Sequence, residues 1–260
     1  MGNFVTLFKK DLLEIKRSKS WLIFPLVFIL VAGISVVTAK VLPELLNMLL
    51  KDTPLNGLME YIPSIGDSYS QFAANMGEIS ILLVMILFST ALIKEKKSGT
   101  YYMLKDNGVS EAKIVLSHFL SKLILLTLSY LVSVVVFVVS NMIVFNSYTG
   151  IRGVVSLSYV YLALIFALAF SLFISSCSKK SVVAYVLSIS IYFVLYTISA
   201  FPYIDIYNPL YSLVLASNII TKAEYQISDY IINLSVTLSL VVFFIIASIY
   251  FFKNKIDNRK

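Results

Sequence analysis

"ISILLVMILFSTALI" (residues 79–93), followed without a spacer by "KEKKSGTYYMLKDNGVSEAKIVLSH" (residues 94–118), decides how this chain is read. The first string is an uncharged run between Glu78 and Lys94. The second is a compact charged knob with two tyrosines that ends where another apolar run begins. Apolar runs of membrane length joined by short charged knobs are the pattern of a polytopic helical membrane protein, because a bilayer core needs about 20 mostly apolar residues per helix. Composition agrees: the 260 residues are 59% hydrophobic and 13% charged, with a mean hydropathy of +0.89. A soluble domain is roughly 45–50% apolar and 25% charged. One cysteine, Cys177, and one histidine, His118, supply no disulfide framework, no CxxC pair and no cluster of soft ligands, so no metal site is expected.

Working outward, the charge-free stretches give six spans: 21–39, 74–93, 123–145, 154–176, 182–200 and 231–252, in one transmembrane domain covering 1–260. The second run is short on its own and borrows the turn containing Ala73 and Ala74, which leaves Glu78 near the outer headgroups or in a wet cavity rather than facing lipid. Lysine and arginine placement sets the orientation. Five precede the first span, six lie between Lys94 and Lys122, Lys179 and Lys180 follow the fourth span, and four end the chain, against four on the opposite side. Both termini are therefore expected in the cytoplasm. The acidic residues divide six and eight in the reverse sense, so the basic balance expresses topology rather than nucleic-acid binding.

Three short patterns compete near the ends. A basic start, an apolar run and "VVTAK" resemble a cleaved signal peptide, but the run is longer than a usual h-region. "MGNFVT" fits a myristoylation pattern through Gly2 and Thr6, a lipid that adds little to six spans. Asn233-Leu234-Ser235 matches a glycosylation acceptor at the edge of the last span, where it carries no meaning.

Within residues 1–20, Phe4, Leu7, Phe8, Leu12 and Ile15 recur at helical spacing, with Lys9, Lys10, Lys16 and Arg17 over much of the remaining surface. This predicts an interfacial helix along the cytoplasmic headgroups, as an anionic-lipid anchor or as a docking element. In residues 94–118 a helix is expected from Glu95 to Lys105. Asp106-Asn107-Gly108 marks a turn, and Ser110 with Glu111 starts a second helix that runs into the third span. The result is a cytoplasmic helical hairpin whose tip, Tyr101, Tyr102, Met103 and Leu104, is aromatic and apolar with a lysine rim, as protein interfaces are. The alternative is an ordinary positive-inside loop with its tyrosines in the headgroups. Residues 201–230 hold an apolar core, Leu210 to Ile220, too short to span and suited to an external re-entrant or interfacial helix. The loop from Lys40 to Gly77 is richer in acids and suits short surface helices.

Glu95-Lys96-Lys97-Ser98-Gly99-Thr100, an E-x-x-x-G-T just after the second span, resembles the signature of permeases of the second ABC-exporter superfamily (the ABC-two type). The plan of the whole chain is similar too: an amphipathic helix, six spans, a hairpin and a longer external loop before the last span. The resemblance implies that the hairpin is the coupling element seated in a groove of a separate ATPase subunit. Glu95, Gly99 and Thr100 match the motif, and Tyr101, Tyr102, Met103 and Leu104 form the contact region. A proline common soon after the motif is absent, with Asn107-Gly108 in its place.

No G-x-x-x-x-G-K-[ST] occurs, so the energy source, ATP with Mg, is expected on a partner present in two copies, and this chain is expected to bind no cofactor and catalyse nothing itself. No H-E-x-x-H, paired catalytic carboxylates or Ser/His/Asp set lies at membrane depth. The spans have essentially no ionisable groups of the kind an ion-coupled carrier needs. Six spans are half of an alternating pathway, so a second copy or a sister permease is expected beside the lipid membrane and the ATPase. Ala163, Ala167, Ser171 and Ser175 form a small-residue stripe on the fourth span that fits either intramolecular packing or a dimer seam. On the fifth span Tyr185, Ser188, Tyr192, Tyr196 and Ser199 share a hydroxyl face. Opposite Met85 and Phe88 of the second span it is either a substrate route, as the resemblance implies, or a hydrogen-bonded packing face. The resulting expectation is an exporter permease in a bacterial plasma membrane, moving amphipathic or hydrophobic cargo. Toxin-like or antimicrobial peptides come first, then lipid-linked glycans, drugs or cations. A membrane scaffold or sensor that docks another cytoplasmic protein is the alternative.

Overall fold

The computed structural model describes residues 2–50, 62–199, 201–202, 204–222 and 226–257. In chain order these form α1 (Gly2–Arg17), α2 (Ser20–Leu50), α3 (Ile65–Asn75), a π turn (Met76–Ile81), α4 (Leu82–Phe88), α5 (Ala91–Lys97) and α6 (Thr100–Asp106). There follow α7 (Glu111–Phe145), α8 (Gly150–Cys177), α9 (Ser181–Ile198), a 3₁₀ turn (Asp205–Tyr207), α10 (Tyr211–Thr221) and α11 (Ile227–Asp257). Among the described residues there is no strand. Six helical stretches are long and apolar enough to cross a membrane: Ser20–Leu45, Ile65–Lys97, Glu111–Phe145, Gly150–Cys177, Ser181–Ile198 and Ile227–Lys253.

The six expected spans are all present, and most are longer than the charge-free runs. The first continues past Ala39 through Lys40 and Pro43, because a helix end is set by backbone hydrogen bonding rather than by the first charged side chain. The second differs most. Residues 65–73, expected in an external loop suited to short surface helices, belong to α3, which starts on a capping box between Ser64 and Asp67 and continues into the span through the π turn. Residues 51–61 of that loop lie outside the described set.

Below α4 the helix breaks at Ser89 and Thr90, and α5 resumes. The break exposes backbone donors in an apolar setting, where an unpaired amide is costly. Ser175 of α8 meets them: its Oγ accepts from the Leu92 amide at 2.9 Å and the Ile93 amide at 3.4 Å. The stripe Ala163, Ala167, Ser171 and Ser175 is wholly buried inside the chain, so small side chains here serve close helix approach within one copy. α8 is the best-buried span and packs on α4, α10 and α11, with Phe166, Phe170 and Phe173 set against Phe244. α9 and α11 are the least buried.

The remaining segment, α10, covers the expected Leu210 to Ile220 core. It is held by Ser156 Oγ donating to the Ala216 carbonyl at 2.6 Å and by Ser70 and Ser217 hydroxyls 2.6 Å apart. α3, α10 and the α7–α8 joint thus gather at one end of the bundle. α1, α5, α6, the start of α7 and the end of α11 gather at the other, which holds the lysine-rich segments and is called the basic end below.

Candidate coupling site at the basic end

α1 is amphipathic, but its docking is not purely apolar. Leu7 is buried on it, while Phe4, Phe8, Leu12 and Ile15 are half-buried. One turn beyond Leu7 the same face carries Asp11, which is also buried. Its carboxylate accepts a hydrogen bond from Ser117 of α7 and lies 3.8 Å from His118 Nδ1. Beside it Lys10 Nζ reaches Glu95 Oε1 of α5 at 2.5 Å. Glu95 Oε2 lies 3.4 Å from His118 Nε2. Lys122, one turn along α7, has its Nζ 2.9 Å from His118 Nδ1.

Two carboxylates, Asp11 and Glu95, and two lysines, Lys10 and Lys122, thus meet around the His118 ring, so acidic and basic side chains balance in a buried setting. That balance matters because a buried ion left without its partner costs several kcal/mol, roughly 3–5 in measured cases. The cluster therefore fixes how α1 sits on α5 and α7.

The next residues aim the hairpin. α5 ends at Lys97, and Gly99 adopts φ 76°, the left-handed region that favours glycine. The expected single helix from Glu95 to Lys105 is therefore two helices with a sharp joint at Gly99. A second positive-φ glycine, Gly108, makes the turn into α7. Ser110 stands at the N-cap of α7 with no side-chain cap bond.

The tip does not present its aromatic residues equally. Tyr101 is 0% exposed: its ring stands edge-on to Phe252 of α11 at 5.2 Å, and its hydroxyl donates to Glu111 Oε1 at 3.1 Å. Lys105 pairs with the same carboxylate at 3.4 Å, and Lys96 lies 4.1 Å over the Phe252 ring. Tyr101 is thus the anchor of the hairpin rather than part of its contact surface, a correction to the sequence expectation. Glu95 likewise faces inward, while Gly99, Thr100 and Leu104 are partly covered. Tyr102 and Met103 are the apolar residues held outward, Met103 at 70% exposure, with Lys97 and Lys105 exposed beside them.

The fifth-span face divides in two. Ser188 and Tyr192 are buried, and Tyr192 Oη donates to the Gly77 carbonyl in the π turn at 3.0 Å, so the middle of this face packs. Tyr185 is half-buried. Met85 and Phe88 are not on a route: both are buried, and Phe88 stacks on Phe24 of α2 at 5.1 Å. The α4 face that carries them is occupied by protein. Only Tyr196 and Ser199 border open space, at a hollow of about 350 Å³ also lined by Ser70, Ala74 and Ser217.

The chain matches no protein-family model and no curated protein.

What sequence reasoning missed was the polar cluster. Lys10 and Lys122 read as cytoplasmic surface charge and Asp11 and His118 carry no role in the sequence, because Lys10 and Asp11 meet partners 85 and 106 residues away on other helices. A signal was present: Asp11 follows Leu7 at i+4 on the apolar face, and His118 and Lys122 share a face at the same spacing.

Proposed function

We propose that this chain is the membrane-spanning permease subunit of an ATP-driven exporter. Its basic end faces the cytoplasm of a bacterial cell, and ATP with Mg is bound and hydrolysed by a separate ATPase, two copies per complex. A second permease, a copy of this chain or a sister, completes the pathway. Amphipathic or hydrophobic cargo, peptides foremost, leaves by alternating access.

One observation carries the reading: the Lys10–Glu95–His118 cluster locks the interfacial helix and the E-x-x-x-G-T turn into one rigid body whose outward surface is Tyr102 and Met103 with a lysine rim. A coupling element needs this construction. Force from a soluble partner reaches the spans only if the contact surface is rigidly joined to them, and here it is joined to α5, α7 and α11 at once. An exposed aromatic and methionine tip within charged surroundings also suits a protein groove better than open water.

The test is co-purification from the native host in mild detergent, comparing wild type with Tyr102→Ala/Met103→Ala. A stoichiometric protein carrying a P-loop, retained by wild type and lost by the variant, is the predicted result. Absence of such a protein, or its full retention by the variant, would refute the reading and favour a scaffold that docks another protein.

A further inference from the structure

Glu78 stands on the π turn inside the second membrane-length stretch, and its side chain is exposed on the flank of the bundle. Fifteen residues lie between it and Lys94, a rise of about 24 Å at 1.5 Å per helical residue, less than the ~30 Å of a hydrocarbon core. A carboxylate within a membrane-length stretch is costly against lipid and marks a functional position by default. Among the described residues none of the basic side chains pairs with it, and its hydrogen bond is from Tyr196 Oη of α9 at 3.4 Å. The π turn is itself informative, since such turns inside α-helices concentrate at functional sites.

The surroundings suggest what meets the charge. Ala74, one turn along the same helix, and Tyr196 both border the 350 Å³ hollow between α3, α9 and α10. That volume is within the usual range of small-ligand sites, roughly 300–1,000 Å³. Its walls combine apolar Leu213 and Val214 with the hydroxyls of Ser70, Ser199 and Ser217. A carboxylate hydrogen-bonded to a tyrosine that itself borders an apolar hollow with a few hydroxyls matches a cation carried on an apolar body. Charge pairs with the carboxylate, the tyrosine face accepts the cation, and the apolar portion fills the hollow.

We propose that Glu78, with Tyr196 and the adjoining hollow, is a binding site for the ammonium or guanidinium group of an amphipathic ligand. The assignment deepens the exporter reading, on which it rests for biological meaning: the cargo carries a positive charge next to an apolar segment.

The probe is dansylcadaverine, a fluorescent primary amine, titrated against the full chain in nanodiscs of zwitterionic lipid, with its N-acetylated neutral form as comparison. Wild type should show saturable amine binding above empty nanodiscs. Glu78→Gln, which keeps size and hydrogen bonding, should weaken it at least about tenfold, while Glu44→Gln, an exposed acid elsewhere on the first span, should leave it unchanged. The acetylated probe should not distinguish Glu78→Gln from wild type. Equal amine affinity in Glu78→Gln and wild type, with both monodisperse, would overturn the assignment, as would absence of saturable binding to wild type. The titration needs no ATPase. Amine binding without a P-loop partner would sink the exporter reading and leave the site, and a P-loop partner without Glu78-dependent binding would do the reverse.

Discussion

Replacing Glu95 by Gln removes one charge from the buried cluster while keeping the side chain's volume, and the consequence can be worked from the geometry. Glu95 is 5% exposed and lies between Lys10 at 2.5 Å and His118 at 3.4 Å. Without its charge, Asp11 alone faces Lys10 and Lys122. Lys122 is buried and cannot rehydrate, whereas the Lys10 side chain is about one-third exposed and can. The full cost of stranding a buried ion, roughly 3–5 kcal/mol, is therefore discounted to about 2–4 kcal/mol. This energy holds α1 against α5 and α7, so it is read as undocking of α1.

A single cysteine reports that motion. In a Cys177→Ser background, Leu7→Cys places a thiol at a position only 3% exposed, and maleimide reaches it when α1 lifts. At a factor of ten per 1.4 kcal/mol, Glu95→Gln should speed labelling by roughly 30-fold to several hundred-fold. Lys10→Met should speed it too, and the double variant should fall short of the product, with a coupling of at least about 1 kcal/mol. Labelling of Glu95→Gln within threefold of the parent, or independent effects of the two substitutions, would refute the claim that this ion pair holds α1 in place.

Other substitutions test separate parts of the structure. Gly99→Ala puts a side chain on a φ of 76° with open space around the Cβ, so the cost is backbone strain alone, about 1–2 kcal/mol. It should lower the thermal midpoint slightly while reducing ATPase co-purification sharply. Ser175→Ala leaves the Leu92 and Ile93 amides without their side-chain acceptor and should destabilise the chain by about 1–3 kcal/mol in a denaturation series. Gly153→Ala brings a Cβ to 2.1 Å from Thr149 Oγ1 and 2.6 Å from Tyr69 Oη, breaking the bond between those hydroxyls. Overpacking there should cost about 1–3 kcal/mol, measurable as a lower midpoint that Tyr69→Phe partly relieves.

The six spans and the turn at Asn107-Gly108 were legible because hydropathy and turn chemistry are local. So was α10, from an apolar stretch too short to cross a membrane. That α3 belongs to the second span was not, because Gly66, Asp67, Ser68 and Ser70 read as loop or surface helix, and the partner of its apolar face, Phe137 against Tyr69 and Phe72, lies on α7. The break at Ser89 and Thr90 was hidden too, since its satisfying partner, Ser175, lies in another span. Tyr101 and Tyr102 are adjacent and identical in the sequence, yet one anchors and one projects, and the positions of Phe252 and Glu111 separate them. Contacts between distant segments decide such matters, and one sequence does not display them.

The most direct test of the central claim is a photo-crosslinking residue at Met103, with another at Ile143 near the opposite end of α7 as control, activated in cells of the native host. The account predicts a dominant Met103 adduct to a P-loop ATPase and none from Ile143, with the Met103 adduct weakened in Glu95→Gln. A Met103 adduct only to lipid, or to a protein without a P-loop, would contradict it.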